Sequence, residues 1–360
     1  MKKPQIFTLG SATFDIFVKP GDQAIISFEK PDTREKWLAL KYGGKVKIDE
    51  VIETFGGGAT NTAVAFARMG FEAACISKVG SEYGEKVIDN LRRNKVKTDF
   101  MVTTDKDKTG FSTIINTLDG DRTVLGYAGA NALFKASDLP WKALEKADWI
   151  FLSHISGDSE GIHKALMKML EKNPGVHLAW NPGYEQLKEG VKKWKKLLDH
   201  TEILFVNKEE AALFSGTPYQ LAGIKRDDPK CHVHTAKSFL PPYADDVSEI
   251  MLEFFKTGVK IVVITDGRNG AQASDSKHLY FSPVVTHKRL NSLGAGDAFA
   301  SGFTSARILG QDLKTALVYG TLNANSVVSF YGAQQGLLTR KQIQNQFSSN
   351  PLCVSSALLK

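Results

Sequence analysis

Short apolar runs alternate with helix-patterned segments along much of this chain, and that alternation restricts the fold more than any other feature. Trp149-Ile150-Phe151-Leu152 precedes a helical pattern over 159–172, and Val176-His177-Leu178-Ala179-Trp180 precedes one over 191–199. Ile203-Leu204-Phe205-Val206 leads into a helix opened by Asn207, and Ile261-Val262-Val263-Ile264 follows a helix over 245–257. Ile6-Phe7-Thr8-Leu9-Gly10 reads as a buried first strand. Strand and helix at this spacing predict an α/β fold, a doubly wound, mainly parallel sheet with helices on both faces. Ligands of such sheets bind beyond the carboxyl ends of the strands. Asn181, Asn207 and Thr265 fall at such ends.

The rhythm breaks in two places. Phe14-Asp15-Ile16-Phe17-Val18 is a second extended piece, 19–45 reads as a long loop, and Val46-Lys47-Ile48-Asp49 alternates with period two. Extended runs over 111–116 and 122–127 flank Asp119-Gly120, a hairpin signal. These pieces predict a small sheet separate from the main one. The second break, 217–246, carries Pro218, Pro229, Pro241 and Pro242 together with Cys231-His232-Val233-His234. It lacks a second ligand pair at zinc-like spacing and reads as an insertion. Further helices are expected over 62–70, 83–94, 298–309 and 312–330, a strand over 73–80, and a hairpin from 271–274 and 279–281.

Two glycine-rich turns open helices. Gly294-Ala295-Gly296-Asp297 precedes an apolar helical run. The first N–H groups of a helix lack partners and point one way, and the helix dipole adds positive potential there. Such a spot suits an anion such as a phosphoryl group, and Asp297 beside it can take a proton from an attacking hydroxyl. Read structurally, it is a helix start with an acidic first turn. In Gly56-Gly57-Gly58-Ala59-Thr60-Asn61 the glycines let a ligand approach the backbone, and Asn61 offers both a donor and an acceptor. Asp15 is unusual within a strand; on one face with Phe17 it suits a polyol ligand. Asn207 and Glu210 fit a capping box and equally a hydrated Mg²⁺ beside a nucleotide. Thr265, Gly267 and Gly270 form a turn able to face phosphates.

The formal net charge is +7, but the densest basic run, Lys192-Lys193-Trp194-Lys195-Lys196, has helical spacing and reads as a solvated helix face. No basic, aromatic-interleaved module points to nucleic acid. No run approaches the length of a membrane span and no signal peptide opens the chain, so a cytoplasmic protein is expected. The three cysteines, Cys75, Cys231 and Cys353, are too sparse for a disulfide framework. The first strand is not followed by Gly-x-Gly-x-x-Gly, which argues against a dinucleotide-dependent dehydrogenase.

Together these stretches resemble the ribokinase-like (pfkB-type) carbohydrate kinases over nearly the whole chain. The resemblance rests on 56–61, Asn207-x-x-Glu210, Thr265-Asp266-Gly267 and Gly294-Ala295-Gly296-Asp297. It implies one ribokinase-like domain over 1–360 with a small β-sheet lid from about 12–54 and 100–128, and in many relatives the lid makes a homodimer contact. It implies Asp297 as catalytic base with Gly294, Ala295 and Gly296 as its anion hole. Asp15, Gly57, Gly58 and Asn61 would hold sugar hydroxyls. Asn207 and Glu210 would hold Mg²⁺ through water, and Thr265, Gly267 and Gly270 the nucleotide phosphates, with Asn323 or Asn325 near the adenine. The implied activity is ATP-dependent phosphorylation of a hydroxymethyl group on a small sugar. A nucleoside kinase, with Phe17 stacking on the base, and a non-catalytic sensor on the same fold are the alternatives. The chain has Asn291-Ser292 where the family has Asp-Thr, so weak or absent K⁺ dependence is expected. It has Gly58 where lysine is frequent, which leaves the identity of the sugar open.

Overall fold

The computed structural model describes residues 3–20, 24–30, 33–116, 122–217, 244–284, 290–349, 352 and 354–359; for 20, 24–30, 33–36, 244–246 and 349 it describes the backbone alone. Nine strands form one sheet, running from one edge as Glu72–Ile76, Gln5–Leu9, Trp149–Leu152, His177–Trp180, Thr201–Asn207, Ile261–Thr265, Ala271–Ser274, His278–Ser282 and Ser355–Leu358. The first six are parallel and the last three antiparallel. Side chains alternate between its two faces. Phe7, Leu152, Trp180, Leu204 and Val262 pack against the helices Ser159–Lys172, Tyr184–Asp199, Lys208–Ser215 and Ala244–Phe255. Phe151, Phe205 and Val263 pack against Ala295–Ile308 and Leu313–Val327.

The strand Gln5–Leu9 lies between Glu72–Ile76 and Trp149–Leu152. The chain leaves it toward one edge of the sheet, and from Trp149 onward builds toward the other. Such a reversal opens a crevice at the strand ends, and this is where ligands bind in open α/β sheets. Here it lies between Gly10 and Ser153.

A second sheet has four strands in the order Arg122–Tyr127, Gly110–Asn116, Thr13–Pro20, Ile48–Gly56. Thr13–Pro20 pairs in parallel with Gly110–Asn116 and antiparallel with Ile48–Gly56, which runs directly into the helix Gly58–Arg68. The small separate sheet expected from the sequence is therefore present, although the Asp119-Gly120 turn lies outside the described residues.

Several expectations need correction. The segment 19–45 is not a loop, since Ala24–Lys30 and Thr33–Ala39 pair as an antiparallel hairpin; Ile25, Ile26 and Phe28 supply strand propensity that charged neighbours mask in the sequence. The strand near 46–49 starts at Ile48 and continues to Gly56. The helix expected over 62–70 begins at Gly58, with Asn61 in its first turn as expected, and the one expected over 298–309 begins at Ala295. The helix expected over 191–199 is present as the second piece of Tyr184–Asp199, separated from an unexpected first piece by a break at Gly190 (φ 78°). The helix Arg340–Ser349 and the strand Ser355–Leu358 were not expected. Residues 218–243 of the insertion, including Cys231, His232 and His234, lie outside the described residues. Among the described residues no helix is long and apolar enough to cross a membrane.

The helix bearing Asp297 is fixed to the sheet by Phe303, fully buried, whose ring meets Phe205 edge-on at 5.6 Å. Phe303→Ala leaves a cavity at that junction and should destabilise the protein by about 3–5 kcal/mol in urea unfolding. A loss under about 1 kcal/mol would show that this contact does not anchor the helix.

Candidate active site

The helix Ala295–Ile308 starts from Gly294, whose backbone is left-handed (φ 76°). A Cβ there would lie 2.3 Å from the Ala333 Cβ, so position 294 admits glycine on both conformational and steric grounds. The first bond of the helix runs from the Ala298 N–H to the Gly294 carbonyl at 2.9 Å. The N–H groups of Gly296 and Asp297 in that first turn have no carbonyl to reach within the helix. A Cβ at Gly296 would meet nothing within 4 Å. The turn is therefore a row of donors facing open space, with a carboxylate in it.

The Asn61 Nδ2 donates to the Asp297 Oδ2 at 2.8 Å. Burial raises the Asp297 carboxyl above the usual carboxylate range, and the Asn61 hydrogen bond pulls it back down. Asn61 lies in the first turn of Gly58–Arg68, and Gly58 faces the same carboxylate: a Cβ there would stand 3.7 Å from Asp297 Oδ1 and 2.7 Å from the Ser153 Cβ. Gly57 has φ 94°, and its missing Cβ would fall 2.4 Å from the Ser11 carbonyl. The helix start is pinned by Ser11, which accepts from the Gly58 N–H at 3.3 Å (Oγ) and from the Ala59 N–H at 3.2 Å (main chain).

Asp15 borders the other side of the glycine run. It pairs with Thr54 and Ser112 across the second sheet and is 3% exposed. A Cβ on Gly56 would lie 2.0 Å from its Oδ2. Among the described residues its buried Oδ1 has no hydrogen-bond partner. Burial pushes its carboxyl up to about 6, against hydrogen bonds from Thr13 and Ser112 that lower it. Ser153, missed in the sequence reading, has a buried Oγ without a partner among the described residues, at the crevice beside Gly58. Phe17 does not stand open for a base; it is buried, with its ring against Tyr331 at 5.9 Å.

The remaining residues lie along the same sheet edge. Asn207 and Thr265 are register partners at the ends of adjacent strands. Asn207 and Glu210 form a complete capping box, each side chain accepting from the other's N–H at 2.8 Å. Burial raises the Glu210 carboxyl, and the cap hydrogen bond partly offsets this. Gly267 and Gly270 both have positive φ in the turn after Thr265. Lys208, also missed, is 1% exposed in its side chain and reaches the Asp266 carboxylate at 4.0 Å, tying the two strand ends together. Asn323 is not brought into the site. It is 0% exposed, donates to the Ala298 carbonyl at 2.7 Å and accepts from the Leu338 N–H at 2.9 Å. Asn325, two residues on, is also buried.

The family pattern described as pfkB family carbohydrate kinase matches residues 25–340. The chain belongs to this family. It is therefore a kinase, a phosphotransferase with an alcohol group as acceptor. The kinase is 24% identical over 299 residues to the ribokinase of Bacillus subtilis, covering 81% of this chain and 87% of that protein. Its fold is that of the Arabidopsis thaliana ribokinase solved with ribose and ATP (TM-score 0.72, 20% identity, 96% of this chain and 98% of that one). It is likewise that of the Methanocaldococcus jannaschii nucleoside kinase (TM-score 0.68, 21% identity, 97% and 100%).

The Asp15 carboxyl titrates higher folded than unfolded, so the folded state binds the extra proton. Stability from this group is therefore lost as pH rises from about 3.8 to about 6. Asp15→Asn should remove that loss and raise unfolding stability near neutral pH by about 1–3 kcal/mol. Urea unfolding at about pH 4.5 and about pH 7.5 checks it; an Asn variant no more stable at the higher pH would contradict the assignment.

Proposed function

We propose that this kinase transfers the γ-phosphoryl group of ATP to a hydroxymethyl group of a small sugar, with Asp297 as general base. The observation that carries the reading is the Asp297 carboxylate, fixed by Asn61 and set in the same turn as the unpaired N–H groups of Gly296 and Asp297. The acceptor hydroxyl passes its proton to Asp297 as its oxygen bonds to phosphorus, and the bond from phosphorus to the ADP oxygen breaks. The N–H groups of the Gly294–Asp297 turn hold the charge on the transferred group. Asp15, with an oxygen lacking a partner among the described residues, and Asn61 hold sugar hydroxyls beside Gly57 and Gly58. Burial raises the Asp297 carboxyl toward working pH and makes it a better base.

Thr265, Gly267 and Gly270 receive the nucleotide phosphates. Mg²⁺ fits here through water: one Glu210 oxygen serves the cap, and no group of three or more His, Cys, Asp or Glu able to hold a metal occurs among the described residues. When bound, the ion neutralises phosphate charge. The second sheet acts as the lid. The sugar reading is favoured over a nucleoside because the Phe17 side chain is buried, with Tyr331 edge-on to it, and offers no open face for a base.

Asp297→Asn should lower kcat by roughly 10²–10⁴ with ATP affinity nearly unchanged, in assays against a panel of sugars and nucleosides. Near-normal turnover in the variant would overturn the base assignment; adenosine as the only acceptor turned over would overturn the sugar reading.

A second expectation concerns monovalent cations. Asn291 is 1% exposed and its Oδ1 accepts from the Leu293 N–H at 2.8 Å, so the end left over is the Nδ2 donor. A donor repels a cation where a carboxylate would attract it. Turnover at fixed ionic strength should be nearly the same in K⁺, Na⁺ or a bulky organic cation. A large, selective rise with K⁺ would contradict this.

A further inference from the structure

Asp297 is held by Asn61, and Asn61 is itself held. The Gln334 Nε2 donates to the Asn61 Oδ1 at 3.0 Å and to the Thr60 Oγ1 at 3.2 Å. The Thr60 hydroxyl gives its own proton to the Gly56 carbonyl at 2.5 Å, so toward Gln334 it only accepts. The Gln334 Oε1 accepts from the Asn90 Nδ2 at 2.7 Å. Beyond Asn90, the Asn94 Nδ2 donates to the Asn90 main-chain carbonyl at 2.9 Å and toward its Oδ1 at 3.4 Å. The Asn94 Oδ1 accepts from Arg68 Nη2 at 3.1 Å.

An amide side chain accepts at one end and donates at the other, a guanidinium only donates, and a carboxylate only accepts. Arg68 at one end and Asp297 at the other therefore force Asn94, Asn90, Gln334 and Asn61 to point the same way. We propose that Gln334 is a positioning residue which, with Asn90, fixes the Asn61 amide so that its NH₂ end faces the catalytic carboxylate. Reversed, Asn61 would set its carbonyl against Asp297 in a buried setting, where only a protonated Asp297, useless as a base, is tolerated. Gln334 is 7% exposed, and the preceding Ala333 packs on Gly294, so one short segment sets both the anion-hole turn and the orientation of the base.

The helix bearing Asp297 packs against Gly58–Arg68 and Leu313–Val327, whose charged or titratable groups are Arg68, Lys314 and Tyr319, and its own last turn carries Arg307; Asp15 and His154 lie on neighbouring elements of the site. All stay in place in the variants that follow. Asn90→Asp turns the donor toward Gln334 into an acceptor and reverses every amide downstream. Asn90→Leu breaks the same link without reversing it. The readout is the pH titration of the Asp297 carboxyl by ¹³C NMR on the full chain, with Asp297→Asn identifying the resonance. It is measured at about 1 M salt to weaken the effect of the charge added at the half-buried position 90, which salt screens less than an exposed one, and the uncharged Gln334→Met variant is titrated alongside.

Asn90→Asp should raise the midpoint by about one pH unit, the loss of one donor to the carboxylate, and Asn90→Leu by less than about 0.3. A midpoint in Asn90→Asp within about 0.3 of the unmodified protein overturns the proposal. Should Asn90→Asp fail to fold, Gln334→Met carries the test. It removes the donor to Asn61 without adding charge and should raise the midpoint by about 0.5, an unmoved midpoint again overturning the proposal. The inference rests on Asp297 being the base. The titration needs neither nucleotide nor sugar, so its failure sinks the relay alone, whereas retained turnover in Asp297→Asn sinks the base reading.

Discussion

Two helix N-termini separated by 236 positions in sequence meet through a single hydrogen bond, from the Asn61 amide to the Asp297 carboxylate. The rest of the site depends on it. A desolvated carboxylate is costly to ionise, and at Asp297 this raises the affinity for a proton. One aligned donor lowers that cost without removing it. The carboxyl keeps a raised affinity for protons, the property a general base needs, and is fixed in orientation. Gly58 is small enough to leave the carboxylate uncovered, and Gly294 lets the helix begin close against Ala333.

The second sheet contributes the opposing carboxylate by similar means. Asp15 is buried between two strands, with hydrogen bonds from Thr13 and Ser112 and one oxygen left without a partner among the described residues. An unsatisfied buried acceptor lowers stability, and a ligand hydroxyl is the natural group to satisfy it. The strand Ile48–Gly56 passes into the helix Gly58–Arg68 through Gly57 alone, so the second sheet joins the main body at the residues that border the proposed acceptor site.

At Asn207 and Glu210 the geometry is that of a helix cap, and it leaves room for the proposed nucleotide role. Asn207 and Glu210 cap their helix fully, yet the cap holds both at the carboxyl end of a central strand, next to Thr265 on the neighbouring strand. Lys208 adds a buried cation between these ends, held near Asp266. A lysine so placed is invisible to periodicity, because in the sequence it stands among charged residues that would ordinarily face solvent.

How much of this was legible varies with the range of the interaction. The strand–helix alternation determined the parallel sheet and which strand ends carry Asn207 and Thr265, because side-chain period and burial are local properties. The two glycine turns announced helix starts, because only glycine relieves the backbone at Gly57 and Gly294, but the sequence could not tell that Ser11 takes the Gly58 and Ala59 N–H groups of the first. The sequence could not decide between solvent and core for polar residues. Asn323 shares its chemistry with Asn61, yet one is spent bridging the Ala298 carbonyl and the Leu338 N–H while the other faces Asp297. Gln334 gave no sign beyond its place after a glycine, because its role depends on partners 244 and 273 positions away. Local patterning determined which elements form. Tertiary packing alone decided which amide meets which carboxylate, and which way round, because a hydrogen bond's partner and direction are set by positions in space that sequence spacing does not encode.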